Sequence, residues 1–384
     1  MMMPFKLRIL LAAMAVAFTG STFAGYPKAD AISVDSSAAT TSQPATNSQP
    51  VVTSKNTKTA KIPKTPLPSK PRSELLLTPA NEEVKRFMTE PKHHPTIALA
   101  LGGGGIRGAA HIGILRVFER EHIPIDYIAG CSMGSIIGGL YAAGMTCNEL
   151  ETILMDKSLQ KAYAPGLVIE HLLALAFQPV IFVFRDRPYA GLFSGKAFLK
   201  FLDKRLPENA KQIEDTKIPF VAVVTNLCDG KAYKLAKGDL AQAIVASSAF
   251  PPLVRPVYLN GNLYVDGGVR SNVPVVSANQ FHPDLCIAIV ADEQLRPMKP
   301  QKFTSVKNVA TRVTDIILDV ADDYHVQKAD IVIRPDLVGI PIMSRHTKDV
   351  VAAIKAGEAA AEAALPQIRQ AIESYKEKHA TASK

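Results

Sequence analysis

The stretch "TIALALGGGGIRGAAHIGILRVFEREH" (96–122) passes from an unbroken apolar run, through four glycines, into a helical pattern. A strand with one wet face alternates apolar and polar residues, so the unbroken run "TIALAL" belongs in a sheet covered on both faces. In the helical part, Ile112, Leu115 and Phe118 are spaced for one buried face. The unit recurs at once as "IDYIAG" (125–130) followed by "MGSIIGGLYAAGM" (133–145). Further strand-like runs are "PFVAVVTNL" (219–227), "LYVDGG" (263–268), "LCIAIVAD" (285–292) and "ADIVIRPD" (329–336). Helical stretches lie around them at 238–250, 305–324 and 349–378. This alternation predicts an α/β fold: a mostly parallel sheet with helices on both faces. Ahead of it, "SELLLTPANEEVKRFM" (73–88) reads as a short helix docked on the domain.

The N-terminal part has a different texture. Lys6 and Arg8 precede an apolar run, Ile9 to Phe18, and Thr22-Phe23-Ala24 offers small residues for cleavage. Residues 1–24 therefore read as a signal peptide, the run being well short of the roughly 20 residues of a membrane span; an uncleaved anchor is the alternative. Residues 25–75, rich in Ser, Thr, Pro and Lys, bury too little apolar surface to offset their ordering entropy and read as a disordered linker. The formal charge of +9 sits largely here: residues 1–75 hold nine Lys/Arg against three Asp/Glu. A basic tail before a nearly neutral domain is either simply solvated or touches an anionic membrane or cell-wall surface; it does not resemble a nucleic-acid-reading face. Cys131, Cys147, Cys228 and Cys286 are scattered without C-x-x-C spacing, which indicates neither a zinc site nor a disulfide framework.

Three motifs fall at the ends of predicted strands, where open parallel sheets bind ligands. In "GGGGIRG" (102–108), Gly103, Gly104 and Gly105 let backbone N–H groups converge without side chains in the way. Such a nest suits an oxyanion, a dinucleotide pyrophosphate, or no ligand at all. The dinucleotide reading wants an acid at the end of the following strand, and Asp126 stands at its start. The second motif, Gly130-Cys131-Ser132-Met133-Gly134, is a G-x-S-x-G between strand and helix, the context in which a serine is raised as a nucleophile. None of His111, His171, His282, His325, His346 and His379 is well placed to serve as its base. The third motif, Asp266-Gly267-Gly268 at the end of "NGNLYVD", is either a self-bonded turn or an exposed carboxylate flanked by bare backbone.

Glycine-rich strand–helix loop, G-x-S-x-G and a late D-G-G, in that order, resemble the patatin-like phospholipase family, and the "GGGGIRGAAHIGIL" opening resembles its bacterial members most. "VASSAFPPLVRPV" (245–257) and "DGGVRSNVPV" (266–275) share the family's texture. The resemblance covers residues 96–290 as the catalytic domain, with 291–384 a strand and helical extension packed on it. Two slight departures are Gly102 where plant members often carry Asp, and D-G-G in place of D-G-A.

The resemblance implies a three-layer fold, a Ser132–Asp266 dyad without histidine, and an oxyanion hole at Gly103, Gly104 and Gly105. Arg107, Gly108, Gly130, Gly134, Gly267 and Gly268 would support them, Arg107 by steadying the loop or meeting a lipid phosphate. It implies no metal and no cofactor. It further implies an exported lipid acyl hydrolase, periplasmic or secreted, acting on phospholipid or lysophospholipid with peripheral membrane contact. A soluble esterase or acyltransferase with the same dyad, and a non-catalytic lipid-binding protein, are the alternatives. The apolar stretch 166–193 reads as core helix, lid or lipid-entry surface.

Overall fold

The computed structural model describes residues 76–79, 94–165, 191–251, 253–292, 295–305, 308–309, 312–313, 315–316 and 326–382. All lie within the compact unit Ile62–Lys384. The expected signal peptide, the linker and residues 166–190 lie outside the described residues.

Among these residues nine strands form one sheet: β1 (Leu76–Pro79), β2 (Ile97–Leu101), β3 (Tyr127–Cys131), β4 (Phe220–Asn226), β5 (Ala232–Lys237), β6 (Val257–Leu259), β7 (Asn262–Asp266), β8 (Leu285–Ile289) and β9 (Ile331–Ile333). The described helices are α1 (Ala110–Arg120), α2 (Met133–Ala142), α3 (Cys147–Met155), α4 (Ser158–Tyr163), α5 (Lys196–Arg205), α6 (Leu240–Ser247), α7 (Val275–Asn279) and α8 (Thr347–Ala382). The main strand order is β1-β5-β4-β3-β2-β8-β9.

Side-chain alternation in the central strands makes the two faces unequal. Ile97, Leu99 and Leu101 of β2 point into the large core shared with α1, α2, α3, α6 and α8. Ala98 and Ala100 point the other way, into a smaller core closed by Val275 and Ala278 of α7. There Phe281 stacks on Tyr127 with ring centroids 4.7 Å apart. The result is a mixed α/β fold of helix, sheet and helix layers.

The expected mostly parallel sheet needs correction. β9, β8, β2, β3 and β4 run parallel, whereas β5, β1, β6 and β7 pair antiparallel. β5 follows β4 after only five residues, too few for a parallel crossover, so it must fold back as a hairpin. Leu76–Pro79, read from sequence as part of a helix, is instead the strand that pairs with β5. Its proline is tolerated because an outer strand leaves some N–H groups unpaired.

The position of β7 decides how the site is built. β4 pairs with β5 along one edge, from Ala222 to Thr225. Its other edge is shared end to end: β3 occupies it up to Val223, and β7 enters from the opposite direction and ends at Val224. The residues ending β3 and β7 therefore meet head-on beside β4.

Candidate functional site: a serine and an aspartate between opposed strand ends

Ser132 follows β3 directly and precedes α2, and its backbone has φ 52° and ψ −120°. A non-glycine residue with positive φ is strained, and the strain is held here by packing on both sides. The Ser132 N–H is bound by the Ser247 carbonyl and hydroxyl oxygens, each at 3.2 Å. The flanking glycines make the turn possible. A Cβ on Gly130 would lie 2.6 Å from the Gly134 carbonyl oxygen, and one on Gly134 would lie 2.1 Å from that of Leu101.

Asp266 ends β7 and is 2% exposed. The Ser132 hydroxyl donates to its Oδ2 at 2.6 Å. Gly268 N–H donates to Oδ1 at 2.8 Å, and the Cys131 thiol approaches the same oxygen at 3.8 Å. Burial raises the Asp266 carboxyl from 3.8 to about 6, while the bonds from Ser132, Gly268 and Cys131 pull it down. The carboxyl is thus a better base than an exposed aspartate and is still ionised at neutral pH. Gly267 stands against β4: a Cβ there would meet the Val223 carbonyl oxygen at 2.4 Å. Tyr163 donates to the Ser248 carbonyl at 2.7 Å, and its phenol is raised by burial and by the charge of Asp266.

The glycine loop runs alongside. A Cβ on Gly103 would stand 3.1 Å from that of Ser132. Gly104 and Gly105 have φ of 143° and 57°, and a Cβ on either would strike a carbonyl oxygen, that of Ala291 or Ile342. Their N–H groups make no hydrogen bond among the described residues, and neither do those of Met133 and Gly134 in the first turn of α2. Gly103 differs from the expectation: its N–H donates to the Asn272 carbonyl at 3.2 Å. The reason is that the loop leaves β2 in sheet-like contact with the segment after β7, and that contact takes up the first free N–H.

Arg107 is 2% exposed, in the short 3-10 turn Gly105–Ala109. Its Nε donates to the Ile340 carbonyl at 2.7 Å and its Nη1 to Asp315 at 3.2 Å. This fastens the glycine loop to two C-terminal segments. Gly108 lies under α2, with the Met133 side chain where a Cβ would be.

The histidines stand apart from this pair. Ser132 and Asp266 are bonded to no histidine among the described residues. His111 is wholly buried, lies 2.8 Å from the Gly102 carbonyl through Nε2, and is drawn down to about 4 by burial, so it is neutral. His171 and His325 lie outside the described residues. Asp126 accepts the Ile97 N–H at 2.7 Å, a structural role at the opposite rim. Among the described residues no group of three or more His, Cys, Asp and Glu could hold a metal ion, and no helix is long and apolar enough to cross a membrane.

Asn272, Ser247 and Asp315 escaped the motif reading although each touches the site's frame. Asn272 both receives Gly103 and donates through Nδ2 to Asp292. The first two lie inside stretches singled out for their texture, "DGGVRSNVPV" and "VASSAFPPLVRPV", but texture carries no hydrogen-bond information.

A serine on a strained strand-to-helix turn, bonded to a buried carboxylate beside open backbone N–H groups, is the arrangement of a serine nucleophile site on an α/β fold. Residues 99–279 match the family model described as patatin-like phospholipase. An uncharacterized NTE family protein of Mycobacterium bovis is 32% identical over 231 residues, 59% of each chain. Patatin-like phospholipase domain-containing protein 6 of Mus musculus is 32% identical over 203 residues, 52% of this chain and 14% of its own length. Lysophospholipase NTE1 of Cryptococcus neoformans is 35% identical over 182 residues, 47% of this chain and 10% of its own. The chain thus spans less than two thirds of each of these relatives.

Proposed function

We propose that the protein is a lipid acyl hydrolase of the patatin-like type, cleaving carboxylic esters of phospholipids or lysophospholipids through Ser132 and Asp266. The observation that carries the reading is the 2.6 Å bond from the Ser132 hydroxyl to Asp266. Oγ attacks the ester carbonyl as Asp266 Oδ2 takes its proton. The tetrahedral oxyanion forms beside the open N–H groups of Gly104 and Gly105, with Met133 N–H as a further donor from the helix start. Asp266 then protonates the departing alcohol, afterwards takes a proton from the water that attacks the acyl-enzyme, and returns it to Ser132 Oγ as the fatty acid leaves. The family match and the lysophospholipase name of the fungal relative support the lipid substrate class. The mycobacterial relative agrees with a bacterial type. The sequence of residues 1–24 supports export, to the periplasm or beyond the cell. We assign 96–290 as the catalytic domain and 291–384 as its extension, in keeping with β9 joining the sheet and Ile354 and Ile368 of α8 entering the core.

The test is fatty-acid release from phospholipid vesicles and from a soluble short-chain ester, using the parent, Ser132→Ala and Asp266→Asn. Activity on vesicles that both substitutions abolish in folded protein is the expected result. Activity confined to the soluble ester would replace the lipid reading with an esterase. Silence on both substrates would overturn the hydrolase reading.

A further inference from the structure

The segment 295–316 carries one end of the Arg107 clamp and exposes a row of apolar side chains. Residues 308–309, 312–313 and 315–316 are helical. Asp315 turns inward to Arg107, while Val309, Val313 and Ile316 are 43%, 49% and 42% exposed. Met298, earlier in the segment, is 47% exposed. The other element held by Arg107, the loop whose Ile340 carbonyl accepts Nε, exposes Val338 and Met343. The same loop supplies the Ile342 carbonyl that accepts Ile106 N–H against the glycine loop. Two segments that frame the glycine loop thus each present apolar residues to solvent.

The described charge along 295–316 is almost all positive, and Asp336 beside Val338 is the exposed acid nearest the second segment. Arg296, Lys299 and Lys302 are exposed and Arg312 is half-buried, its guanidinium braced on the Arg296 carbonyl at 2.8 Å. The only acid among the described residues of 295–316 is Asp315, which is engaged by Arg107. An apolar row with cations beside it matches the acyl boundary and anionic headgroups of a lipid surface.

We propose that Met298, Lys299, Lys302, Val309, Val313 and Ile316, with Val338 and Met343, form the surface by which the protein docks on an anionic phospholipid bilayer, bringing the glycine loop to the lipid. The inference extends the hydrolase reading, but its test reads binding alone. Co-sedimentation of the full chain is measured with phosphatidylcholine vesicles containing or lacking phosphatidylglycerol, at low and high salt. The variants are Val313→Asp with Ile316→Asp, and Lys299→Glu with Lys302→Glu, with thermal melts confirming that each is folded. The parent is expected to favour the phosphatidylglycerol vesicles, and each pair of substitutions to weaken that binding by at least about tenfold. The charge reversal is expected to act chiefly at low salt.

Equal binding by parent and variants would place the contact elsewhere, in the basic N-terminal stretch, and overturn the proposal. So would a parent that ignores anionic vesicles. An aspartate pair that converts a dimer to a monomer while vesicle binding persists would show the row to be a self-association face, and would also overturn it. A protein that binds vesicles by this surface but releases no fatty acid would refute the hydrolase reading and leave the docking surface standing.

Discussion

Asp266 gives up water and receives three donors in return, and the balance sets both its reactivity and its cost. As a base it must be ionised, so kcat/KM on a soluble ester is expected to fall with unit slope as pH drops through about 6. A profile that stays flat from pH 4 to 8 would remove Asp266 from the role of base. The same raised value bears on stability. Above pH 6 the carboxyl is ionised in both folded and unfolded chains and the folded state carries the burial cost; below 3.8 it is protonated in both and the cost is gone. A rise from 3.8 to about 6 corresponds to about 3 kcal/mol at neutral pH. Asp266→Asn resembles the protonated carboxyl, so it is expected to be inactive yet more stable than the parent at pH 8, by up to about 3 kcal/mol. That advantage should vanish at pH 4, as denaturant titrations at the two pH values would show. At this scale the sequence was informative where a residue type carries its own chemistry, as Ser132 and Asp266 do. It was silent on Gly103 N–H, whose partner is 169 positions away in Asn272, because a backbone amide has no signature in the residue name.

Elements depend on what lies beside them as well as on their own residues. α8 packs on α1 through two glycines: a Cβ on Gly113 would stand 2.0 Å from the Ile354 carbonyl oxygen, and one on Gly357 would stand 2.1 Å from that of Ala110. Helix propensity alone makes Gly→Ala favourable by about 1 kcal/mol. The neighbour here is backbone that cannot rotate away, so overpacking of about 1–3 kcal/mol or more dominates. Gly357→Ala is therefore expected to lower the melting temperature by several degrees; a rise would mean that the two helices separate at little cost. The strands and helices most readily found in the sequence were those buried on both faces or strongly periodic: β2, β3, β4, β8, α1, α2 and α8. β5 was missed because its "AYKLAK" mixes lysines into a short amphipathic run. α3 was missed although Thr146 and Glu149 form a reciprocal capping box that marks its start. Leu76–Pro79 looked helical because its partner β5, more than 150 residues ahead, determines its pairing.

In the whole molecule, Arg107 is the junction where the glycine loop, the 340 loop and the helical segment around Asp315 are fastened together. Residues far apart in the chain thereby share one rim: Ser132 and Asp266 lie against the glycine loop, and the segments that Arg107 holds carry exposed apolar residues. By itself, the sequence determined the α/β class and marked out Ser132, Asp266 and the glycine loop as the residues to look at. These rest on local requirements: apolar runs that must be buried, small residues where backbones nearly touch, and side chains with reactive groups. Only the tertiary structure decided that Asp266 arrives on an antiparallel strand and meets Ser132 because β3 and β7 divide one edge of β4. Only it decided that Gly103 is engaged, that Arg107 is buried on Asp315, and which face of that helix is left to solvent. Strand direction and side-chain partners are set by pairings across more than a hundred residues, where the free energy belongs to the contact and to neither segment alone.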